Sequence, residues 1–396
     1  MALADLRVLD ISTFVSAPFA AACLAEFGAE VLKIEKPGEG DSLRQLGTRS
    51  ETGDSYFWLS EARNKKCITL DLRKPRGADL FRRMVKKADV VIENFRPGTL
   101  EKWGLGFADL LALNPGLVML RISAYGDKGP KSQLPGFARI AQAYAGLTYL
   151  VGQPDTPPLI AGSTTLADYI SGLYGAYGVL IALRVRERTG RGQYIDIGLH
   201  DGIFRFLDEI ACVYDKSGTV RERMGTETPS STPHSHYPTK DGKWVAIACT
   251  NDKMFERLAS VMEQPDLALP DQYGPKPRRL QARAHINQLV SDWTSTFARD
   301  EVIRRCSEGD VPCGPVNSIA EIFSEEQFWV RDTLIRIRDD RIGDLAVPGV
   351  VPRLSETPGK IHHLGRAVGE NNAEIFREWL EIEETELDAL RSEGVV

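Results

Sequence analysis

A single carboxylate, Asp168, lies near the start of the apolar segment GSTTLADYISGLYGAYGVLIAL, residues 162–183. Apolar or aromatic residues recur there with the spacing of one helical face, at positions 166, 170, 173, 174, 177, 180 and 181. This spacing predicts a helix whose apolar stripe packs on another element. Backbone N–H groups and the macrodipole favour an ionised carboxylate in the first turn of such a helix. From these residues alone, Asp168 is either a helix cap or an ionised nucleophile at a cleft.

Four basic residues come after predicted strands: Lys36, Arg73, Arg96 and Lys102. Because the carboxyl ends of parallel strands meet at one edge of a sheet, these cations could lie together and bind a polyphosphate. Single basic residues on loops are also commonly solvated, and that alternative stays open. Asn94 and Arg96, in the segment ENFRPG, fit the binding role best.

Two histidines, His234 and His236, are separated by one residue in the segment TPHSHYP. Alternate residues of an extended chain point to the same side, which suits a metal ion or a carboxylate ligand. No third ligand follows at a suitable spacing, so the sequence predicts no metal site and favours a structural or substrate-orienting role. The six cysteines are scattered without a CxxC pair, which indicates reduced thiols of a cytosolic protein.

Strand and helix patterns alternate through the first half of the chain. Five segments have the β-branched, apolar composition of strands: LRVLDIS, AEVLKIEKP, KCITLDL, DVVIENF and LVMLRISAYG. Helical patterns such as PRGADLFRRMVKKA separate them. The alternation predicts βαβ units, a parallel sheet, and ligands at the carboxyl ends of its strands. No G-x-G-x-x-G follows the first strand and no G-x-x-x-x-G-K-[ST] occurs, which argues against a nicotinamide enzyme and a P-loop NTPase.

The composition indicates a soluble globular protein of about two domains. The chain has 396 residues, of which 42% are hydrophobic, and a formal net charge of −6. No basic block points to nucleic acid, and the N-terminus lacks the layout of a signal peptide. No apolar run reaches the length needed to span a membrane, since YGVLIAL ends at RVRER. These observations predict a cytoplasmic protein that binds neither nucleic acid nor a membrane.

The composition changes in the second half of the chain. Residues 215–238 are rich in Ser, Thr, Pro and Gly, which is typical of a linker or a long loop. The segment GKWVAIACT then predicts a strand, and helical patterns follow in NDKMFERLASVM, RAHINQLVSDWTSTF and RDEVIRRCSEG. Together they predict a small α+β unit, after which the C-terminal part predicts strands and a charged amphipathic helix.

Several segments together resemble the class III CoA-transferases, the family that includes formyl-CoA:oxalate and carnitine CoA-transferases. They occur in the family's order along nearly the whole chain: LRVLDIS, LAEFGAEVLKIEKPGEGD, NKKCITLDLRKPRG, ADVVIENFRPGTLEKWGL, LADYISGLYGAYGVLIAL, TGRGQYIDIGLHD and VPCGPVNS. The resemblance implies an α/β fold with a Rossmann-like large domain, built on a parallel sheet from N- and C-terminal parts, plus a small α+β domain. It also implies an interlocked homodimer.

Domain boundaries follow from the resemblance and the change in composition. Residues 1–205 are expected to form the first part of the large, CoA-binding domain, and residues 206–238 a linker and active-site loop. Residues 239–325 are expected to form the small domain. Residues 326–396 would then supply a return linker and the C-terminal part of the large domain.

The resemblance also implies which residues carry the chemistry. The catalytic aspartate of the family falls on Asp168, in the triplet LAD. CoA contacts are implied mainly in the loops after the early strands, at Val15, Ser16, Lys36, Leu70, Asp71, Leu72, Arg73, Asn94, Phe95, Arg96, Lys102, Pro135, Gly136, Phe137 and Ala138. CoA esters are then substrates, and neither a tightly bound cofactor nor a metal is expected.

Two differences from the oxalate enzymes of this family reduce the range of expected substrates. The oxalate enzymes carry Gln at the position of Val15 and a Gly-rich run where this chain has ETPSSTPHSHYP, so formate and oxalate are not expected. A small dicarboxylate such as malate or citramalate is the expected acceptor, because Arg139, His234 and His236 could hold a second carboxylate. Succinyl-CoA is the expected donor, and CoA is expected to pass through an aspartyl-CoA thioester.

Two alternatives stay open. The α-methylacyl-CoA racemases share the fold, but their acid/base histidine aligns with Phe137, which cannot move a proton. A non-catalytic protein of the same fold would bind CoA esters without exchanging labelled carboxylate into them.

Overall fold

The computed structural model describes residues 1–162 and 165–396. They separate into two units that interleave along the chain. The first unit contains both chain ends and comprises residues 1–148, 160–219 and 327–396. The second unit comprises residues 149–159 and 220–326.

This division differs from the predicted boundaries mainly in three segments, one of which is residues 220–238 of the predicted linker, which belong to the second unit. Residues 206–219, predicted to be linker, belong to the first unit, and residues 149–159 belong to the second. In the second unit the Tyr149 hydroxyl donates to Glu222 at 2.6 Å, and Arg223 donates to the Tyr149 carbonyl at 2.8 Å. These bonds join segments that are about seventy residues apart in sequence, so no local pattern reveals them.

Six parallel strands form the sheet of the first unit: β1 (Arg7–Asp10), β2 (Glu30–Glu35), β3 (Lys65–Thr69), β4 (Val90–Glu93), β5 (Val118–Ser123) and β6 (Tyr194–Gly198). Their order is β3-β2-β1-β4-β5-β6, the order of a classic doubly wound dinucleotide-binding sheet. Val8 of β1 pairs with Val31 on one side and with Val90 on the other. The predicted Rossmann-like parallel sheet is confirmed.

Side chains alternate between the two faces of this sheet, as the period of a strand requires. Val8, Val90 and Leu120 belong to one apolar core. Leu9 and Met119 belong to the other. Both faces are therefore covered, which explains why the strands read as continuous apolar runs in the sequence.

Helices cover both faces. Those of the first unit are α1 (Ser16–Glu26), α2 (Tyr56–Glu61), α3 (Pro75–Val85), α4 (Thr99–Lys102), α5 (Phe107–Leu113), α6 (Ala138–Tyr144), α8 (Leu166–Thr189), α9 (Leu199–Arg205), α10 (Ile210–Ser217), α17 (Asn372–Leu380) and α18 (Glu384–Ser392). Two others, α7 (Leu147–Leu150) and α16 (Glu326–Val330), each contain a boundary between the units. A hairpin of β10 (Leu334–Asp339) and β11 (Gly343–Pro348) and a 3-10 helix, Ser42–Gln45, complete the unit.

Helix α8 packs on α1 through small residues, and not through the apolar stripe that the sequence predicted. Gly172, Gly175 and Ala176 lie on its buried side. A Cβ atom at Gly172 would lie 2.3 Å from the Ser16 carbonyl oxygen, which leaves room for hydrogen only. Leu173 and Tyr177 of the predicted stripe are instead 57% and 60% exposed. Leu166 and Ile170, at the start of the predicted stripe, do pack against the core, so the predicted packing face is correct there and wrong farther along the helix.

The expectation that no apolar run reaches membrane-spanning length is also wrong. Helix α8 has 24 residues and meets the length and composition of a membrane span. In its most apolar window 44% of the residues are buried inside the protein. Core helices of soluble proteins meet the same two criteria, so this observation is weak evidence for a membrane.

The second unit is a small α+β structure. An antiparallel sheet contains β7 (His234–Pro238), β8 (Trp244–Ala248) and β9 (Cys313–Pro315), with β8 in the middle. Its helices are α11 (Asp252–Val261), α12 (Lys276–Gln281), α13 (Arg283–Thr294), α14 (Arg299–Glu308) and α15 (Ile319–Ser324), together with the 3-10 helix Pro265–Ala268. Strand β7 lies inside the segment that the sequence predicted to be a linker.

Candidate active site

A cavity opens where the strand order reverses, at the carboxyl ends of β1 and β4. In open α/β sheets this is the position at which ligands bind. The cavity has a volume of about 230 Å³ and is lined by the loops after β1, β4 and β5 and by the first turn of α8. We call it the Asp168 cavity. Nine of the predicted site residues line it: Val15, Ser16, Asn94, Phe95, Arg96, Pro135, Gly136, Phe137 and Asp168.

Asp168 contributes a half-buried carboxyl group to this cavity. Within residues 1–162 and 165–396, no donor is hydrogen-bonded to its carboxylate oxygens and no cation is paired with them. Burial raises the pKa of the Asp168 carboxyl from 3.8 to about 7. Burial therefore acts against the ionised form that the helix start favours.

Several hydroxyl groups line the same cavity as Asp168, and the sequence analysis did not single most of them out. Thr13, Ser16, Ser123 and Ser132 all line the cavity. The Ser123 side chain is buried at the end of β5, and its Oγ atom has no hydrogen-bond partner among the described residues. A buried hydroxyl without a partner is unfavourable for folding, so its retention at a cavity wall points to a ligand. The only sequence signal for Ser123 was its place at the end of a predicted strand.

A second cavity lies at the carboxyl ends of β2 and β3. It has a volume of about 260 Å³, and we call it the Lys36 cavity. Six of the predicted residues line it: Lys36, Leu70, Asp71, Leu72, Arg73 and Phe95. Trp103 and the buried Lys33 also contribute, although the sequence analysis named neither.

The two partly exposed cationic side chains of this cavity already have carboxylate partners. Arg73 forms a bidentate pair with Asp71, with its Nη2 atom 2.7 Å from Oδ2. This pairing keeps the pKa of the Asp71 carboxyl below its usual value. Lys36 is hydrogen-bonded to Glu39. Both cations are about half exposed, so an incoming anion can compete for them.

The two cavities adjoin each other. Thr13 and Phe95 line both of them. Each cavity alone is smaller than the sites of typical drug-sized ligands, which occupy about 300–1,000 Å³. A ligand as long as a CoA ester would need both cavities.

Five of the predicted site residues line neither cavity. Lys102 is exposed at the end of α4, and Ala138 is buried at the start of α6. Arg139 is exposed on α6. His234 and His236 occupy β7 of the second unit. They keep the predicted same-side spacing on a strand, but their roles stay predictions.

No group of three or more His, Cys, Asp or Glu side chains that could hold a metal ion occurs in the described part of the chain. The described side chains around Asp168 are hydroxyl, amide, guanidinium and apolar groups. This set suits a carboxylate or thioester ligand better than a metal ion.

The sequence model of CoA-transferase family III matches residues 3–372. The alpha subunit of the succinyl-CoA–L-malate CoA-transferase of Chloroflexus aurantiacus is 51% identical over 395 residues, which cover 100% of this chain and 92% of the relative. The beta subunit of that enzyme is 48% identical, with 100% and 98% covered. The succinyl-CoA–D-citramalate CoA-transferase of the same organism is 40% identical, again with 100% and 98% covered.

Solved structures agree with this likeness. A CAIB/BAIF family protein from Brucella suis superposes with a TM-score of 0.83 at 32% sequence identity. The match covers 94% of this chain and 98% of that protein.

Proposed function

The chain belongs to CoA-transferase family III, and on this premise we propose that it moves CoA from succinyl-CoA to L-malate or a closely related small dicarboxylate. The observation that carries the proposal is the Asp168 carboxyl group, which has no partner among the described residues and lies in a cavity that adjoins a second cavity with cationic walls. The relatives named for L-malate and D-citramalate support the acceptor class. The family resemblance found in the sequence is confirmed.

The proposed reaction begins with the Asp168 carboxylate as nucleophile. One of its oxygens attacks the thioester carbon of succinyl-CoA, the C–S bond breaks, and the CoA thiolate leaves. The product is a mixed anhydride between Asp168 and succinate. The thiolate then attacks the Asp168 carbonyl carbon, which releases succinate and forms an aspartyl-CoA thioester.

The second half of the reaction repeats these steps in reverse. A carboxylate oxygen of the acceptor attacks the aspartyl-CoA carbon and expels the thiolate, which gives a new mixed anhydride. The thiolate attacks the acceptor carbonyl of that anhydride, so that the new CoA ester forms and the Asp168 carboxylate is restored. No proton and no electron is gained or lost overall, and each attack exchanges acyl derivatives of similar energy.

Each attack places negative charge on a carbonyl oxygen. N–H and O–H donors aimed at that oxygen would stabilise it, and loss of one such donor typically costs about 10²- to 10³-fold in rate. The Ser123 hydroxyl, without a partner among the described residues, and the Ser16 hydroxyl are the described donors that we assign to this role.

The proposal divides the CoA ester between the two cavities. The thioester end would lie in the Asp168 cavity and the nucleotide phosphates in the Lys36 cavity, where Lys36 and Arg73 would exchange a carboxylate partner for a phosphate. Val15 would contribute backbone only, because its side chain is buried in an apolar cluster with Leu43 and Trp58. Lys102 and Ala138 stay proposed CoA contacts on the resemblance alone.

The acceptor's second carboxylate needs a cation or a histidine. Arg139, His234 and His236 are proposed for this role. His236 is exposed, and the Nδ1 atom of His234 has no hydrogen-bond partner among the described residues. Phe137 lines the Asp168 cavity and carries no titratable atom, which favours transfer over racemisation.

An assembly of at least two chains is proposed for the active protein. Leu173, Tyr177, Leu180 and Ile181 lie one or two turns apart along α8 and are all more than 40% exposed. An apolar stripe of this kind on one chain is typical of a surface that another chain covers. The relatives named as alpha and beta subunits support either two copies or a homologous pair.

The cytoplasm is the proposed compartment, because buried thiols such as Cys67 suit a reducing environment.

The pH dependence of the first half-reaction is expected to follow Asp168. Because its pKa is about 7 and the ionised form attacks, kcat/KM should fall about tenfold per pH unit below pH 6 and level off above pH 8. The measurement is kcat/KM for succinyl-CoA between pH 5 and 9, with stability checked at each pH. A plateau that extends unchanged down to pH 5 would contradict the raised pKa.

The proposed function is tested with the chain purified alone. Succinyl-CoA, acetyl-CoA and glutaryl-CoA are each incubated with L-malate, D-malate, citramalate, oxalate and formate, and mass spectrometry identifies the CoA products. We expect succinyl-CoA with L-malate or citramalate to exceed the other pairs by about tenfold or more. Light scattering on the same sample gives the number of chains. If an assembled sample of two or more chains yields no new CoA ester from any pair, the proposal is wrong, and exchange of the substrate α-hydrogen with deuterated solvent would then support the racemase alternative.

A further inference from the structure

Four charged side chains are buried together beneath the loop that connects β1 to α1. Asp10, Lys33, Asp41 and Lys65 are each at most 2% exposed. The Lys33 Nζ atom lies 2.8 Å from Asp41 Oδ2 and 3.7 Å from Asp10 Oδ1, and the Lys65 Nζ atom lies 3.0 Å from Asp10 Oδ2. Two cations balance two anions, so the group is neutral as a whole. Such buried charges are weak contributors to stability, which raises the question of what they position.

Side chains of this group form hydrogen bonds with the backbone of the loop between β1 and α1. Ser12 donates its N–H to Asp10 at 3.1 Å, and its carbonyl accepts from Lys33. Phe14 donates its N–H to Asp41 at 3.0 Å. Between them, Asn94 accepts from the Thr13 N–H at 2.8 Å and donates to the Thr13 carbonyl at 2.7 Å. Three consecutive N–H groups are thus fixed by side chains from three different segments of the chain.

Phe14 adopts a backbone conformation that needs such support. Its φ is +63°, in the left-handed region that bulky side chains rarely occupy. A conformation of this kind persists only where the surrounding structure imposes it, and it is common at functional sites. The Phe14 ring meets the Phe137 ring edge to face, with centroids 5.7 Å apart, and both residues line the Asp168 cavity.

We propose that Asp41, held by Lys33, is a positioning residue that fixes Phe14 and thereby the wall between the two cavities, so that the thioester meets Asp168. The inference rests on the proposed function, because it assigns the thioester to the Asp168 cavity and the phosphates to the Lys36 cavity. Residues 13 and 14 form the wall in question: Thr13 lines both cavities, and Phe14 lines the one that contains Asp168. A displaced wall would move the thioester away from the nucleophile, and a misplacement of about 1 Å can cost about 10²-fold in rate.

The test compares two double variants that differ in one acceptor. Lys33→Met/Asp41→Asn and Lys33→Met/Asp41→Ala both remove the ion pair and leave the buried group neutral. The first keeps an acceptor for the Phe14 N–H, and the second does not. Because both variants lack Lys33, only the acceptor at position 41 differs between them, and we expect kcat of the Ala variant to be about tenfold or more below that of the Asn variant, which a displaced wall would cause.

The split between kcat and KM separates positioning from a local loss of structure. Asp41 also accepts from the Leu43 N–H at 2.8 Å and so begins the 3-10 helix that borders the Lys36 cavity. A change confined to the KM for succinyl-CoA would therefore report on that helix and would contradict the inference. Equal kcat values for the two variants would contradict it as well.

A buried ion pair at the other end of α1 provides the matched control. Glu26 and Arg63 are 5% and 7% exposed in their side chains, and their atoms Oε1 and Nε are 2.8 Å apart. Glu26→Gln/Arg63→Met is expected to lower the melting temperature while kcat stays within about threefold of the wild type, because the pair does not touch the wall. If the wild type transferred no CoA at all, the proposed function would be wrong. In that case the affinity of the two Lys33/Asp41 double variants for free CoA would be measured by titration calorimetry. The Ala variant should bind more weakly than the Asn variant, and equal affinities would overturn the inference.

Discussion

Replacement of Asp168 by Asn is expected to lower the rate of CoA transfer by about 10⁴-fold or more, because loss of a covalent nucleophile typically costs that much. The Ala variant is expected to behave in the same way. Neither amide nor methyl can form the mixed anhydride or the aspartyl-CoA thioester. The measurement is the initial rate with succinyl-CoA and L-malate, together with mass spectrometry of the peptide that contains Asp168. In the wild type this peptide should gain the mass of CoA less one water, and hydroxylamine should remove the CoA.

Asp109 offers a matched control for this variant. It lies in the first turn of α5, as Asp168 lies in the first turn of α8, and its carboxylate accepts from the Gly106 N–H at 3.2 Å. Asp109→Asn should keep transfer within about twofold and should lower stability by about 0.3–1 kcal/mol, because a charge leaves a helix N-terminus. Near-wild-type transfer by Asp168→Asn would make Asp168 a helix cap and nothing more.

The pH dependence of stability also distinguishes a helix cap from a buried nucleophile at Asp168. The folded-state pKa of Asp168 lies above the value of 3.8 expected for the unfolded chain, so the folded protein holds this proton more tightly. Stability is therefore lost as the pH rises from about 4 to about 7 and the buried carboxyl ionises. At pH 8 Asp168→Asn should be more stable than the wild type, by up to about 4 kcal/mol at about 1.4 kcal/mol per pH unit, and at pH 4 it should not.

Replacement of Gly172 by Ala is expected to destabilise the protein by about 1–3 kcal/mol, as overpacking usually does. The new methyl group would lie 2.3 Å from the Ser16 carbonyl oxygen, which is a backbone atom and cannot rotate away. Helices α1 and α8 would have to separate near the ends that carry Ser16 and Asp168. Chemical denaturation measures the loss of stability, and transfer should fall in the folded fraction.

Gly178 is the matched control in the same helix. A Cβ atom there would lie 3.3 Å from the Ile195 side chain, which can shift by a few tenths of an ångström. Gly178→Ala should therefore be neutral or stabilising, since Ala exceeds Gly in helix propensity by about 1 kcal/mol. Equal stabilities for the two variants would mean that the contact between α1 and α8 is not tight.

The sequence alone determined the sheet and the position of its ligand edge. Apolar strands alternating with helices required a parallel sheet, and the carboxyl ends of parallel strands meet at one edge because every strand runs in the same direction. Lys36, Arg73 and Arg96 were therefore expected at this edge, and they line the two cavities. Lys102 was expected there too, but it is the last residue of a short helix, α4, and lines neither cavity.

Helix α8 shows most clearly what the sequence could not decide. Its periodicity gave the helix and placed Asp168 in the first turn, because hydrogen bonds between residues four apart are local. Which face packs against α1 depends on how closely two distant backbones approach, and here only the glycine face fits. Burial likewise depends on all surrounding elements at once, so the raised pKa of Asp168 followed from the tertiary structure and not from the helix start. The sequence did not predict the buried ion pair of Lys33 and Asp41 for the same reason. The two residues are distant from the loop in sequence, and only the fold brings them beneath the loop that they hold.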